Sequence, residues 1–166
     1  IEAPDGGWPE GPTTVEITYA GAVYDSLKPP EVAYARGFET TSGLIDLRGA
    51  FLTSETFWVP WTSSERFTFR LRTALDGWHS MSQGTRVEHF VDHGRNVTVW
   101  EETHPQELVY LVAGPYQIAE RTHGDVALYT YTYGNDDAEV VESYLSGAGR
   151  YLDLYGIEGV FPVADT

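Results

Sequence analysis

The strongest constraint on this chain is the alternation of apolar and polar residues that runs through most of its length. Between residues 14 and 134, short runs rich in β-branched and aromatic residues are separated by glycine-containing turns. Because successive side chains of a strand point to opposite faces, a period of two is typical of half-buried strands. The pattern predicts a mainly β fold, an antiparallel β-sandwich, with strands at 14–19, 44–47, 57–61, 66–72, 86–91, 96–101, 107–112 and 125–133.

A different period begins at Asp136. Apolar residues now recur every three or four positions, which predicts one C-terminal amphipathic α-helix. Asn135 or Asp136 can cap its start, and Gly156 is well placed to end it. Gly147 and Gly149 inside the helix indicate close packing against another element. The apolar face comprises Val140, Val141, Tyr144, Leu145, Ala148, Tyr151, Leu152 and Tyr155.

These two periods divide the chain into three parts. Residues 1–13 are dense in glycine and proline and form an irregular leader, residues 14–134 form the sandwich domain, and residues 135–166 hold the helix and a tail. A lone amphipathic helix after a complete β unit has to lie on the sandwich or belong to a following domain. We expect the second arrangement, in which the helix opens a helical domain that is truncated here.

The charge balance excludes several classes of partner. The 166 residues include 25 Asp and Glu against 10 Lys and Arg, a net charge of −15. Nucleic acid binding requires a surplus of cations on the protein, so we expect no nucleic acid partner. No stretch approaches the ~20 apolar residues of a transmembrane helix, so we expect no membrane insertion. The absence of cysteine excludes disulfides and thiolate metal sites and leaves the cellular compartment open.

Three of the basic residues fall on one face of the run 66–72. Phe67, Phe69 and Leu71 are expected to face the core, while the alternate side chains point outward. The outward arginines either balance acidic neighbours on a solvated face or form a docking stripe for another acidic domain. They are Arg66, Arg70 and Arg72.

The sequence contains no complete catalytic constellation, and we predict no catalytic residue and no metal ligand in this chain. The five histidines lack the helical His-Glu-x-x-His pattern of zinc peptidases, because Phe90 follows His89 in a run that alternates like a strand. We expect them on the surface or at hairpins. An acidic patch could perform acid–base catalysis, but it fits a loop between two strands better. The patch consists of Glu101, Glu102, His104 and Glu107.

Four tryptophans leave a binding function open. Trp58, Trp61, Trp78 and Trp100 either belong to the core or form a platform on which a sugar ring stacks. The second alternative predicts a free-standing β-sandwich binding module for carbohydrate or peptide, with aromatic side chains exposed in one groove.

Several segments stand in a recognisable order. They are Phe-Trp-Val-Pro-Trp at 57–61, Phe-Thr-Phe-Arg-Leu at 67–71, Leu-Asp-Gly-Trp-His-Ser-Met-Ser-Gln-Gly at 75–84, Trp100, and Glu-Leu-Val-Tyr-Leu-Val-Ala-Gly-Pro-Tyr at 107–116. The strand at 125–133 and the helix at 138–155 follow them. Over about residues 14–160, this order resembles the N-terminal β domain of aminopeptidase N-like zinc metallopeptidases, continued into the first helix of their catalytic domain.

The resemblance implies a saddle-like β-sandwich that supports a downstream thermolysin-like catalytic domain and borders its peptide-binding cleft. It also implies zinc in that domain, bound by a His-Glu-x-x-His motif; neither this motif nor the family's Gly-x-Met-Glu-Asn loop occurs here. We therefore expect this chain alone to be non-catalytic and to hold no cofactor. Family members place a Gln or Glu that binds the substrate's free amine before the Trp/Tyr-Pro element. Residues 47–54 contain neither, so Glu55, the nearest acid, is the candidate substrate-binding residue.

Overall fold

The structure, a computed structural model, describes Gly7 and residues 10–28, 41–60, 66–134 and 137–157. In these residues, nine strands and one α-helix follow one another along the chain. They are β1 Gly43–Asp46, β2 Gly49–Leu52, β3 Phe67–Asp76, β4 His79–Met81, β5 Thr85–Asp92, β6 Arg95–Gln106, β7 Leu111–Gly114, β8 Gln117–His123, β9 Val126–Thr132 and α1 Ala138–Ile157.

The predicted fold class is confirmed: the chain is mainly β, its sheets are antiparallel, and one helix follows them. The described strands form a four-stranded sheet in the order β1-β2-β7-β4, a three-stranded sheet in the order β3-β6-β5, and the β8-β9 hairpin. The two larger sheets meet where the Thr73 and Ser80 hydroxyls, both buried, hydrogen-bond at 2.7 Å. The Asn96 side-chain amide also donates to the Trp78 carbonyl at 3.1 Å.

Strand β6 forms the centre of the three-stranded sheet. Its sequence Asn-Val-Thr-Val-Trp is rich in β-branched and aromatic residues, which favours a strand. Val97, Thr98, Val99 and Trp100 are all buried, so the strand is covered on both faces. The buried Thr98 is satisfied, because its carbonyl accepts from the Thr73 hydroxyl and its hydroxyl bonds the His89 imidazole at 3.2 Å.

The turn between β5 and β6 contains glycine, as the sequence pattern predicts for the turns between strands. Asp92 pairs with Arg95, which leaves His93 and Gly94 as a two-residue loop. Both have positive φ, 49° and 80°, which is the requirement of a type I′ turn and the reason for glycine at the second position. His93 is thus a hairpin histidine, as expected.

Three strand predictions are wrong in position. Residues 14–19 form no strand, and Val15, Ile17 and Tyr19 are exposed, because no described sheet edge receives this segment. Residues 54–56 form a 3₁₀ turn followed by Phe57 with a φ of 52°, which breaks the extended run predicted at 57–61; Trp61 lies outside the described residues. Strand β7 begins only at Leu111, because β6 occupies the chain up to Gln106.

Three strands, β2, β4 and β8, escaped prediction. Two of them are only three or four residues long, which is too short to show a period. Strand β8, with the sequence Gln-Ile-Ala-Glu-Arg-Thr-His, is largely polar. These strands are specified by their neighbours in the sheets rather than by their own composition.

The predicted helix is confirmed as α1, with corrections at its ends. The Asp137 carboxylate accepts the Glu139 amide at 3.2 Å and so caps the start, while Asn135 and Asp136 lie outside the described residues. At the other end the helix includes Gly156 and reaches Ile157, since helix ends commonly extend by one or two residues. No helix of the described residues is long and apolar enough to cross a bilayer.

The helix packs on the β8-β9 hairpin. Leu145 is 5% exposed, and a Cβ placed on Gly149 would lie 2.9 Å from the His123 imidazole, so glycine is required there for close approach. Nothing lies within 4 Å of such a Cβ on Gly147, so the prediction of close packing is confirmed for Gly149 only. An ion pair between Arg121 and Glu142 and a hydrogen bond between the His123 imidazole and the Asp153 carboxylate flank the contact.

The domain boundaries remain predictions. The leader 1–13 falls mostly outside the described residues, and residues 158–166 of the predicted tail fall outside them entirely. All described strands lie within 14–134.

Replacing Leu145 by alanine should destabilise the chain by about 2–5 kcal/mol, because the substitution removes buried methyl groups and leaves a cavity under α1. Tyr144→Ala, one position away on the same helix, should change the free energy of unfolding by less than about 0.5 kcal/mol, because Tyr144 is 65% exposed. Urea unfolding followed by circular dichroism measures both. Equal effects of the two substitutions would show that α1 is not docked through Leu145.

Candidate functional site

The four-stranded sheet has one face that is not covered by the three-stranded sheet. Its register aligns Leu44 with Phe51, Phe51 with Val112 and Val112 with Met81, so these side chains form one cross-strand row. Leu52, adjacent to Phe51, points to the opposite face and is buried in the core. Phe51 itself is exposed.

Leu44, Phe51 and Val112 of this row form the floor of a trough that we call the outer groove. The groove has two compartments, of about 550 and 540 Å³, which share Thr41, Phe51 and Val112. Tyr116 and Tyr133 line the far end of the first compartment, whose lining also includes Leu27, Leu44, Asp46, Arg48, Gly49, Ala50 and Ala113. Thr53, Ser54, Glu55, Leu108 and Tyr110 complete the second. The lining is predominantly apolar and aromatic, which is typical of binding grooves.

Glu55, the residue singled out by the resemblance, lies at the rim of the second compartment. It belongs to the 3₁₀ turn Ser54–Thr56 and is exposed. The Thr53 hydroxyl donates to the Ser42 carbonyl at 2.6 Å, and the Thr56 hydroxyl donates to the Thr53 carbonyl at 2.8 Å. These bonds hold the backbone of the turn against the start of β1, and the exposed Glu55 side chain extends from it beside an apolar groove.

A short segment around Asp25 closes the edge of the sheet next to the groove. The Asp25 amide donates to the Gly43 carbonyl, and the Ile45 amide donates to the Val23 carbonyl, both at 2.9 Å. The Asp25 carboxylate accepts the Ser42 amide at 3.0 Å and the Ser42 hydroxyl at 2.8 Å. These hydrogen bonds, together with Lys28, lower the pKa of Asp25 to about 2.

Tyrosines form the opposite end of the groove. The Tyr116 and Tyr133 rings lie 4.9 Å apart between centroids, and Tyr131 meets Tyr116 edge-on at 6.0 Å. Burial and the neighbouring Tyr133 hydroxyl raise the pKa of Tyr116, so its phenol stays protonated. This end of the groove offers aromatic surface and hydroxyl groups without charge.

The described tryptophans favour the core interpretation over a sugar platform. Trp100 is 6% exposed, and Trp58 and Trp78 are half-buried. Trp61 lies outside the described residues. The exposed aromatic residues at the outer groove are instead Phe51, Tyr110 and Tyr133, none of which the sequence pattern singled out. These side chains are exposed because one face of the four-stranded sheet is uncovered. A local sequence pattern does not indicate which face of a sheet is uncovered.

The acidic patch is placed differently from the prediction. Residues 101–106 belong to β6 and form no loop, because β3 pairs with the strand along this stretch. Glu101 pairs with Arg70, and Glu102 accepts from the His104 amide at 2.8 Å. Neither residue, nor Glu107, lines the outer groove. The Glu101 and Glu107 side chains are exposed and paired with arginines of β3 or next to it, whereas the Glu102 side chain is largely buried against His104.

The arginine face of β3 is paired with acidic neighbours, as the first of its two interpretations predicts. Phe67, Phe69 and Leu71 alternate with exposed residues as expected. The ion pairs join Arg66 to Glu107 at 2.7 Å, Arg70 to Glu88 at 2.5 Å, and Arg72 to Asp92 at 3.9 Å. Because all three arginines face carboxylates of the same chain, the pairing accounts for the stripe without a docked domain.

The histidines fall into three environments. His93 and His104 are exposed and pair with the adjacent acids Asp92 and Glu102. His123 joins β8 to α1. His79 and His89 lie together, with ring centroids 5.3 Å apart. Within the described part of the chain, His, Asp and Glu side chains form no group of three that could hold a metal ion.

Helix α1 carries a second exposed apolar surface, which we call the tyrosine face and define as Val140, Tyr144, Tyr151 and Tyr155. These residues lie within one stripe of a 3.6-residue helix, beside the stripe that contains Leu145. All four are exposed, Tyr151 by 62%. Tyr151 and Tyr155 stack at 6.3 Å and, with Leu128 of β9, border a shallow cavity of about 470 Å³. The predicted apolar face is thus divided into a docked half and an exposed half.

The site within the described residues therefore consists of an apolar groove with an acidic rim and an exposed aromatic helix face, an arrangement suited to binding. Comparison of the chain with models of protein families, with curated proteins and with solved structures found no match.

Replacing Asp25 by asparagine should loosen the segment that closes the groove edge, because the neutral amide oxygen accepts the two Ser42 donors more weakly than the charged carboxylate and no longer pairs with Lys28. The pKa of Asp25 is about 2 in the fold against an ordinary value of 3.8, so its stabilisation is complete above the ordinary value and is lost as the pH falls from 3.8 towards 2. The difference in melting temperature between the wild type and Asp25→Asn should shrink over that window. Asp76→Asn, at the exposed end of β3, is the matched control. A pH-independent difference would contradict the assignment.

Proposed function

We propose that this chain is the N-terminal β domain of an aminopeptidase N-like zinc metallopeptidase, which supports a downstream catalytic domain and borders its peptide cleft. The observation that carries the proposal is the division of α1 into two apolar stripes. One stripe docks on the hairpin through Leu145, and the other, the tyrosine face, is exposed. A helix with apolar residues on both sides suits a position between two packed bodies.

The residue types in the exposed stripe are those expected where a helix contacts another protein surface rather than solvent. Tyrosines combine a large apolar surface with a polar hydroxyl and are enriched at interfaces for that reason. Tyr144 and Tyr151 lie two helical turns apart on α1, so both can contact one partner surface. The partner in this proposal is the catalytic domain that continues from the helix.

The outer groove supplies the second part of the proposal. Glu55 places a carboxylate beside Phe51 and Tyr110. A carboxylate next to an apolar groove suits the free α-amine of a peptide, whose positive charge pairs with the acid while its side chain contacts the apolar floor. In the proposed protein, Glu55 binds this amine at the border of the cleft.

Zinc enters the proposal only through the downstream domain. This chain has no cysteine and no His-Glu-x-x-His motif, and its described side chains do not assemble a metal site. Its residues therefore do not fit zinc, and no catalytic step is assigned to them. The chain contributes support and substrate binding.

A free-standing binding module for peptide or carbohydrate is the second candidate. It is favoured by the exposure of Phe51 and Tyr110 along the apolar groove, because such a surface can bind a ligand without a second domain. The two candidates differ in what the tyrosine face does: it is an interface in the first and has no role in the second.

The reading frame that continues from this chain tests the first candidate directly. We expect the next ~200 residues to contain a helical His-Glu-x-x-His motif followed by a Glu about one helix later. Cloning and sequencing the downstream frame provides the measurement. A frame without this motif eliminates the peptidase proposal and leaves the binding module.

In the extended protein, Glu55→Gln should reduce kcat/KM for peptides with a free α-amine by about ten- to a hundredfold, because a charge-assisted hydrogen bond contributes about 1.5–3 kcal/mol. Most of the change should appear in KM. The control substrate is the same peptide with an acetylated amine, for which the substitution should have little effect, and the control variant is Asp76→Asn. An equal loss on both substrates would assign Glu55 a structural role.

A further inference from the structure

Arg86 of β5 occupies an unusual position for an arginine of this chain. Its side chain is only 10% exposed, whereas the arginines of the β3 stripe are all more than half exposed. Its guanidinium bonds the Glu120 carboxylate of β8 at 2.9 Å and lies 3.9 Å from the centre of the Tyr129 ring of β9. Glu120 and Tyr129 are cross-strand partners in the hairpin, so Arg86 contacts both hairpin strands at one paired position.

A β-bulge puts Arg86 and His89 on the same face of the sheet. Arg86 pairs with Trp100 and His89 with Thr98, although the two residues are three positions apart on β5. In a regular strand, residues three apart point to opposite faces. The extra residue in the bulge, at the register shift between Arg86 and Glu88, re-aims the strand and brings the imidazole to the side of the guanidinium.

The second imidazole comes from β4. The His79 ring lies 5.3 Å from the His89 ring, and its Nε2 is 3.4 Å from the Asn96 side-chain nitrogen. We call Arg86, His79, His89, Glu120, Tyr129 and Tyr131 the joint cluster. It joins the sandwich to the hairpin, and α1 is carried on that hairpin.

The charges of the joint cluster balance only while both imidazoles are neutral. Among the described residues, the charged groups that face the two rings are Arg86 of β5 for both rings and Glu120 of β8 for His89. The phenols of Tyr129 and Tyr131 on β9 lie beside Arg86. Glu120 already neutralises Arg86. Moreover, His79 Nδ1 is buried without a hydrogen-bond partner. The cluster holds no second carboxylate that could pair with a further positive charge, and the exposed His89 ring has the Thr98 hydroxyl as its hydrogen-bond partner.

We propose that the joint cluster is an acid-sensitive joint: a proton on His79 or His89 repels Arg86 and releases the β8-β9 hairpin, with α1, from the sandwich. This property does not depend on the function proposed above. In the closed state, at neutral pH, the hairpin and α1 are held on the sandwich. In the loosened state, at acidic pH, they are released from it.

The electrostatics agree with this geometry. Burial, followed by the charge of Arg86, lowers the pKa of His79 and of His89 below the ordinary value of 6.5. At His89, the negative charge of Glu120 partly offsets this lowering of the pKa. Since the folded state binds protons more weakly than the unfolded one, the closed joint is stable above 6.5 and is lost as the pH falls below it. Each unit of pKa depression corresponds to about a tenfold change in the closing equilibrium.

Hydrogen exchange on the 166-residue chain at about pH 7.5 and about pH 5.5, corrected for the intrinsic rate, tests the joint. At the lower pH we expect a severalfold to tenfold loss of protection in β8, β9 and α1, while β6 keeps its protection. The double variant His79→Gln, His89→Gln should show no such pH-dependent loss. The control is His93→Gln with His104→Gln, which removes two exposed histidines and should behave like the wild type. The hydrogen bond of His123 with Asp153 lies within the hairpin–helix unit and is kept in all variants.

The proposal is overturned if protection of the hairpin is unchanged at the lower pH, if β6 loses protection equally, or if the loss persists in the His79/His89 double variant. A second measurement covers the case in which that variant fails to fold. Proton NMR titration of the wild type should give pKa values below 6.5 for both histidines, and neutralising both partners in Arg86→Gln with Glu120→Gln should raise them. Histidines of the wild type that titrate at or above 6.5 would also overturn it.

Discussion

The burial of β6 on both faces is the constraint on which the other elements depend. Val97 to Trp100 are four consecutive buried residues, so one face of the strand needs β3 and β5 side chains to cover it and the other needs the second sheet. The Thr73–Ser80 hydrogen bond fixes that second sheet in place. Because Ser80 belongs to β4, which pairs with β7, the same contact determines where the outer groove can form on the far side of the four-stranded sheet.

The sequence predicted those elements whose own residues carry the information. Strand β3 alternates Phe67, Phe69 and Leu71 with polar residues, and α1 repeats its apolar residues over five turns. Both elements therefore appear where they were predicted, although β3 continues four residues further, to Asp76. Residues 14–19 show the same alternation but lie outside any described sheet. An alternating pattern indicates which side chains of a strand can be buried together. Whether they are buried depends on a neighbouring strand, which the pattern does not specify.

The candidate site was less predictable than the fold, because it depends on surfaces assembled from distant segments. Glu55 was singled out by its place before the Trp58-containing segment, and the structure puts it at a groove, which is compatible with its proposed role without testing it. Phe51 and Tyr110 carry no signal of exposure in the sequence. The joint cluster depends on a bulge between Arg86 and Glu88, and a bulge cannot be recognised from the alternation that it interrupts.

The distribution of ion pairs explains why the joint cluster is the most sensitive electrostatic feature. Seven of the ten basic residues form ion pairs with acids in the described part of the chain, namely Lys28, Arg48, Arg66, Arg70, Arg72, Arg86 and Arg121. All except Arg86 have side chains at least a third exposed, where water and salt screen their charges. In a chain of net charge −15, a new positive charge is stabilised almost anywhere on the surface. Beside the buried Arg86 it is destabilised, because the one facing carboxylate is already paired.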